Sequence, residues 1–240
     1  MGGLKLGVLA AGAPPTALQP AFGDYPAMFR ALLGDGGHEW RTYDVRRGEY
    51  PGQPEDCEAY IVTGSACGVY DPDPWIPELM AFLVQARDRA ALVGVCFGHQ
   101  IMAEAFGGKV IKSPKGWGIG LHAHAVRERR PWMDDGLAPA RPTFALPASH
   151  QDQVVEIPPG AAVLGGSDFC PNGLIAYGRR AMSMQLHPEF DPAYAEALIA
   201  GRRGVRFDEG QADQAIASLQ APNDHRRVAA WIEAFLVGTD

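Results

Sequence analysis

With 240 residues, 47% of them hydrophobic and 20% charged, the chain has the composition of one large folded unit with a sizeable core. Its formal net charge of −7 argues against nucleic acid and anionic membrane surfaces as partners, since both select basic faces. The four cysteines, Cys57, Cys67, Cys96 and Cys170, form no C-x-x-C pair, which speaks against a zinc ribbon or redox dithiol and fits a reduced, cytoplasmic compartment.

The elements predicted in chain order begin with "LKLGVLAAG", a buried strand; its apolar run is too short for a good signal peptide. "DYPAMFRALLGDGG" predicts a helix stopped by its glycines, "EWRTYDV" an alternating strand, and "AYIVTGS" a buried strand ending in a Gly-Ser turn. "WIPELMAFLVQARDRA" carries apolar residues at helical spacing. "ALVGVC" reads as a strand and "GHQIMAEAFGG" as a helix closed by Gly107 and Gly108. This βαβ order predicts an α/β fold whose mixed, mostly parallel sheet is flanked by helices. From residue 109 the texture changes to short strands: "GKVIK", "GIGLHAHAVRE", "TFALPASH", "QVVEIP", "AAVLGG", "LIAYGR" and "AMSMQLH". These predict an antiparallel part added to the same sheet. Helices are expected near 192–202, 211–219 and 224–237, and "RRGVRFDEGQADQ" as an exposed loop. No apolar segment reaches the roughly 20 residues of a membrane helix.

The chemistry concentrates at Gly94-Val95-Cys96-Phe97-Gly98, between a strand and a helix. This spacing resembles a nucleophile elbow, in which G-x-S-x-G lifts a serine onto a strained strand-to-helix turn. A thiol at a helix N-terminus meets unpaired amides and the positive end of the dipole, which favour the thiolate. The same amides can receive an oxyanion. A small buried cysteine of no chemical role is the competing reading. A nucleophilic thiol needs a base, and the base needs an orienting acceptor. "MQLHPEFDP" offers His187 and Glu189, two apart and therefore on one side of an extended segment.

Together these stretches resemble the class I (triad) glutamine amidotransferase family. "GVCFGHQ" followed much later by "HPE" carries the resemblance, with "IVTGSACGVYDPDPWIPEL", "GGKV", "GWGIG" and "SHQDQV" in order. It is closest in kind to stand-alone GMP-synthase-like and γ-glutamyl-peptidase-like members. It covers about residues 5–195 of a single 1–240 domain, and the helical tail from 200 to 240 matches no pattern. The resemblance implies a flavodoxin-like sheet and a triad of Cys96, His187 and Glu189. It implies an oxyanion hole from backbone amides at Gly64 and at Phe97 or Gly98. It also implies a glutamine pocket using Gln100, His150, Gln151 and Asp152, with no cofactor.

Two uses of such a site are expected. One is hydrolysis of a γ-glutamyl amide, in glutamine or a γ-glutamyl peptide. The other is a glutaminase subunit feeding ammonia to a separate synthetase; a non-catalytic regulatory relative is less favoured because all three triad residues are intact. His122 and His124 form H-x-H but lack a third ligand in the sequence, so no metal is expected. "SPKGWGIG" is read as a pocket wall and "DPDPWIP" as a rigid capping loop.

Overall fold

The computed structural model describes residues 3–34, 37–134 and 142–238. Its elements are β1 (Lys5–Leu9), α1 (Gln19–Phe22), α2 (Tyr25–Leu33), β2 (Glu39–Tyr43), β3 (Ala59–Val62), α3 (Trp75–Ala86), β4 (Ala91–Val95) and α4 (Phe97–Ala105). There follow β5 (Lys109–Lys112), β6 (Gly118–Val126), β7 (Thr143–His150), β8 (Asp152–Glu156), β9 (Ala161–Gly166), β10 (Leu174–Tyr177) and β11 (Ala181–Met184). Three helices close the described chain: α5 (Pro192–Ala200), α6 (Glu209–Ser218) and α7 (His225–Val237).

Nine strands make one mixed sheet in the order β2-β1-β3-β4-β11-β10-β9-β6-β7. The half from β2 to β11 is parallel; the rest is antiparallel. Strands β3, β4, β10 and β11 are buried along their whole length, which is why they read as unbroken apolar runs. Edge strand β2 is largely exposed.

Strand alternation splits the core between two faces. Ala59 and Ile61 of β3 pack with Val228, Trp231, Ile232, Phe235 and Leu236 of α7, a helical stripe at i, i+3, i+4, i+7 and i+8. Tyr60 and Val62 point the other way, onto α3 and α4. A third cluster gathers α5 and α6 around Phe190 and Tyr194.

Two details differ from the sequence reading. β5 and β8, read as part of the main sheet, pair only with each other in a two-stranded sheet. Helix α2 stops at its glycines as read, ending at Leu33 with Gly34 as its C-cap; Asp35 and Gly36 of the same segment lie outside the described residues. "RRGVRFDEGQADQ" is not a plain exposed loop: it is a tight turn, then α6, with Phe207 and Ala212 buried. Polar letters hid two apolar anchors there. Among the described residues, no helix is long and apolar enough to cross a membrane.

Candidate active site

In an open sheet the crevice beyond the carboxyl ends of parallel strands is the usual binding place. Here β3, β4 and β11 lie side by side, with Val62 opposite Gly94 and Val95 opposite Met184. Their ends deliver Gly64, Cys96 and His187 to one mouth. The amide of Cys96 still bonds the carbonyl of Met184 at 2.9 Å, so the sheet register runs up to the thiol.

Cys96 sits at φ 55°, ψ −104°, the one non-glycine residue with positive φ among the described residues. Such a backbone costs about 1–3 kcal/mol and persists only where the surroundings enforce it. The flanking glycines show what enforces it. A Cβ at Gly94 would stand 2.5 Å from the carbonyl oxygen of Gly98 and 2.6 Å from Met102 Sδ. A Cβ at Gly98 would stand 2.2 Å from the carbonyl oxygen of Val62. Neither glycine has positive φ. They are small so that strand, elbow and helix can touch, and the unusual dihedral falls on the cysteine itself. Helix α4 then opens without a side-chain cap, leaving the Phe97 and Gly98 amides at an uncapped N-terminus.

Gly64 completes the rim. A Cβ there would lie 3.3 Å from His187 Cε1 and 3.8 Å from Cys96 Cβ. Its carbonyl accepts a bond from the buried Thr63 hydroxyl at 3.1 Å, and Thr63 Oγ1 in turn accepts from the Ala11 amide at 3.0 Å. That hydroxyl fixes the orientation of the Gly64–Ser65 peptide.

His187 is buried. Its Nδ1 lies 2.8 Å from Glu189 Oε1, whose side chain is also buried. The ring stacks on Phe190 with centroids 3.8 Å apart and planes 9° from parallel. Burial alone works against the imidazolium, but the Glu189 carboxylate and then the Cys96 sulfur outweigh it, and the pKa is raised well above the ordinary histidine value. A protonated imidazole beside the sulfur stabilises negative charge on it. The Nε2 atom is buried and makes no hydrogen bond of good geometry, so it remains open for transfer.

A cavity of about 520 Å³ joins Gly64, Cys96, His187, Gln100, His150, Gln151 and Asp152. Gln100 is buried, and its Nε2 donates to the Asp152 carbonyl at 2.9 Å and to Gln185 Oε1 at 3.1 Å, so both amide protons are engaged within the chain. His150 Nδ1 donates to the same carbonyl at 3.1 Å; burial holds this histidine neutral, its pKa lowered to about 3. The Asp152 carboxylate accepts from Tyr70 at 2.8 Å, which straps the capping loop across the mouth. Trp117 of "SPKGWGIG" lines the cavity, as a pocket wall should. Trp75 of "DPDPWIP" instead packs under the site against Phe97, centroids 5.5 Å apart.

His122 and His124 belong to no group of three potential metal ligands among the described residues. Cys67, Asp71 and Asp73 on the capping loop do, with ligand atoms within 4.8 Å of one another, though Asp71 Oδ2 already accepts from the Gly68 amide. The sequence reading passed over Thr63, Phe190, Arg202 and Arg206. Phe190 follows the "HPE" motif directly, and the two arginines share an i, i+4 spacing.

The model of the family "Glutamine amidotransferase class-I" matches residues 44–201. A glutamine amidotransferase-like protein of Schizosaccharomyces pombe is 31% identical over 97% of this chain and 98% of its own length. Gamma-glutamyl peptidase 5 of Arabidopsis thaliana is 27% identical over 93% of this chain and 91% of its own. The fold is shared with a glutamine amidotransferase crystal structure from Methylobacillus flagellatus, at a TM-score of 0.73 and 21% identity, covering 100% of this chain and 95% of that one. A match over more than half of the chain, continuous across the elbow, the capping loop and the "HPE" segment, leaves one assignment: the protein belongs to the class I glutamine amidotransferase family.

Proposed function

We propose that the protein hydrolyses a γ-glutamyl amide bond through a γ-glutamyl thioester on Cys96. The observation that carries this reading is the meeting of Cys96, His187 and Gly64 at three adjacent strand ends, with Glu189 2.8 Å from His187 Nδ1. Cys96 Sγ, as thiolate, attacks the γ-carbonyl carbon. The oxygen takes the electron pair and is held by the amides of Gly64 and of Phe97 or Gly98; each such donor contributes roughly 2.7–4 kcal/mol. The tetrahedral species collapses, the C–N bond breaks, and His187 Nε2 hands its proton to the leaving amine or ammonia. Neutral His187 then takes a proton from water as its oxygen attacks the thioester carbonyl. The C–S bond breaks, releasing glutamate and returning the thiolate–imidazolium pair. Glu189 keeps Nδ1 protonated throughout. Gln100, His150, Gln151 and Asp152 shape the glutaminyl side of the cavity, Gln100 and His150 by bracing the Asp152 backbone.

The Thr63 hydroxyl favours a free-standing enzyme over an ammonia-feeding subunit. Thr63 is itself anchored through its amide to the Leu9 carbonyl and through its hydroxyl to the Ala11 amide and the Gly64 carbonyl, so the backbone on both sides of the Gly64 amide is held without a docking partner. Purified protein assayed alone against glutamine, glutathione and other γ-glutamyl compounds should release glutamate from at least one of them. Inactivity across the panel, with activity restored by a separate synthetase, would move the assignment to the subunit reading.

A further inference from the structure

The catalytic groups leave part of the cavity unused. Its volume of about 520 Å³ falls within the roughly 300–1,000 Å³ that takes drug-sized ligands. Arg202 and Arg206, from the turn between α5 and α6, line it together with the catalytic residues. The Arg206 amide bonds the Arg202 carbonyl at 2.8 Å, closing a tight turn that passes through Gly204 at φ 68°, and both arginines line the cavity. Arg203, between them, faces outward and pairs with Asp213 at 2.8 Å and Glu209 at 3.2 Å. Arg202 and Arg206 form no ion pair with any described residue. Arg202 Nη1 has only the Ser149 hydroxyl, at 3.4 Å. The Arg206 guanidinium lies over Trp117, 5.1 Å from the ring centre. Burial and then the nearby Arg206 charge push Arg202 below the ordinary arginine value, and Cys96 is among the groups acting on it.

Two like charges brought together without a counter-ion are unfavourable until an anion arrives. The cavity's own carboxylates are engaged elsewhere, Asp152 by Tyr70 and Asp71 by the Gly68 amide. Arginine is the side chain suited to a carboxylate, which its fork can grip bidentately. Free glutamine loses ammonia, which carries no anion. A γ-glutamyl peptide loses an amine that bears its own carboxylate. The α-carboxylate of the glutamyl group, by contrast, is present in glutamine and in a γ-glutamyl peptide alike. The glutamyl group is common to the family, whose model ends at residue 201, and both arginines lie just beyond.

We infer that Arg202 and Arg206 form a subsite for the carboxylate of the leaving group, so that the substrate is a γ-glutamyl amino acid or short γ-glutamyl peptide rather than glutamine. This rests on the γ-glutamyl hydrolase reading above.

The test compares γ-glutamylglycine with γ-glutamylmethylamide, which lacks the second carboxylate. Wild-type protein should prefer γ-glutamylglycine in kcat/KM by at least tenfold. Arg202→Gln and Arg206→Gln should each cut that ratio at least fivefold, mainly through KM. Arg206 is exposed, so its variant guards against a folding failure at Arg202. Binding of both compounds to Cys96→Ala protein, by calorimetry, gives a readout independent of turnover. A preference for γ-glutamylglycine there, lost on adding Arg206→Gln, supports the subsite even if no hydrolysis is seen; in that case only the hydrolase reading falls. Hydrolysis of both compounds without preference overturns the subsite and leaves the hydrolase standing. Equal losses on both compounds would place the arginines on the α-carboxylate and also overturn it.

Discussion

Glu189→Gln is the most informative single change, because it removes a charge and keeps the shape. In the native site the carboxylate lies 2.8 Å from His187 Nδ1, with both side chains buried. Hydrogen bonds to charged groups contribute about 1.5–3 kcal/mol, and neutral ones about 0.5–1.5. The amide oxygen can still accept from Nδ1–H, so the loss is the difference, roughly 1–2 kcal/mol, or ~5–30-fold in kcat/KM. His187→Ala removes proton transfer itself and should cost ~10²–10⁴-fold. The incoming NH₂ replaces Oε2, which is buried without a partner, so stability should also fall by roughly 1–3 kcal/mol. The pH dependence has a definite sign. His187 is raised in the folded state, so its stabilisation is complete below the unfolded value of ~6.5 and is lost as pH rises through the raised folded value. Glu189 is the strongest influence raising it. The stability gap between variant and wild type should therefore be widest below pH ~6.5 and narrow as pH climbs. Urea unfolding at several pH values, beside kcat/KM on one γ-glutamyl substrate, checks both parts. Wild-type turnover in Glu189→Gln, or a loss equal to that of His187→Ala, would refute the reasoning.

Cys96→Ala and Cys96→Ser should fold and show no turnover, and mass spectrometry after a glutamine-mimicking electrophile should find Cys96 modified ahead of Cys57, Cys67 and Cys170. Cys96→Gly should be at least as stable as Cys96→Ala in thermal melts, despite the usual glycine penalty of roughly 0.5–1 kcal/mol, because glycine accepts φ 55° without strain. Gly98→Ala should destabilise by roughly 1–3 kcal/mol, since its Cβ would sit 2.2 Å from backbone at Val62; unchanged urea unfolding would contradict the packing account. Gly64→Ala meets the His187 ring edge at 3.3 Å and Cys96 Cβ at 3.8 Å, with no backbone in the way, so it should keep stability within ~0.5 kcal/mol yet lose activity, which activity and melting assays on one preparation can separate.

The α/β class was legible because the inner parallel strands β3, β4 and β11 are buried end to end and spell continuous apolar runs. The elbow was legible because its glycines bracket a thiol at fixed spacing, although their purpose, close contact rather than turn geometry, needed the third partner, Val62 of β3. The separation of β5 and β8 from the main sheet left no trace in the sequence, since a short strand carries the same letters in either sheet. Gln100 could be placed at the site, but its engagement with Gln185 and Asp152 depends on segments far away in the chain. The arginines went unread for a related reason: three in five positions look like a solvated turn until Asp213 and Glu209 claim the middle one.

The neighbour of β4 toward the antiparallel half is β11, a strand made after ten others, β1 to β10, have been synthesised. Loop closure over such a span is an entropic cost met before its contacts form, which places this pairing late in folding. Until β11 docks, the turn at Cys96 has a wall on one side only, and the thiol has no imidazole beside it. A nascent or truncated chain therefore carries Cys96 without the partner that the proposed mechanism gives it. On the proposed mechanism, modification of Cys96 by an electrophile becomes a clock for completion of the fold, since the thiol meets His187 only in the step that docks β11.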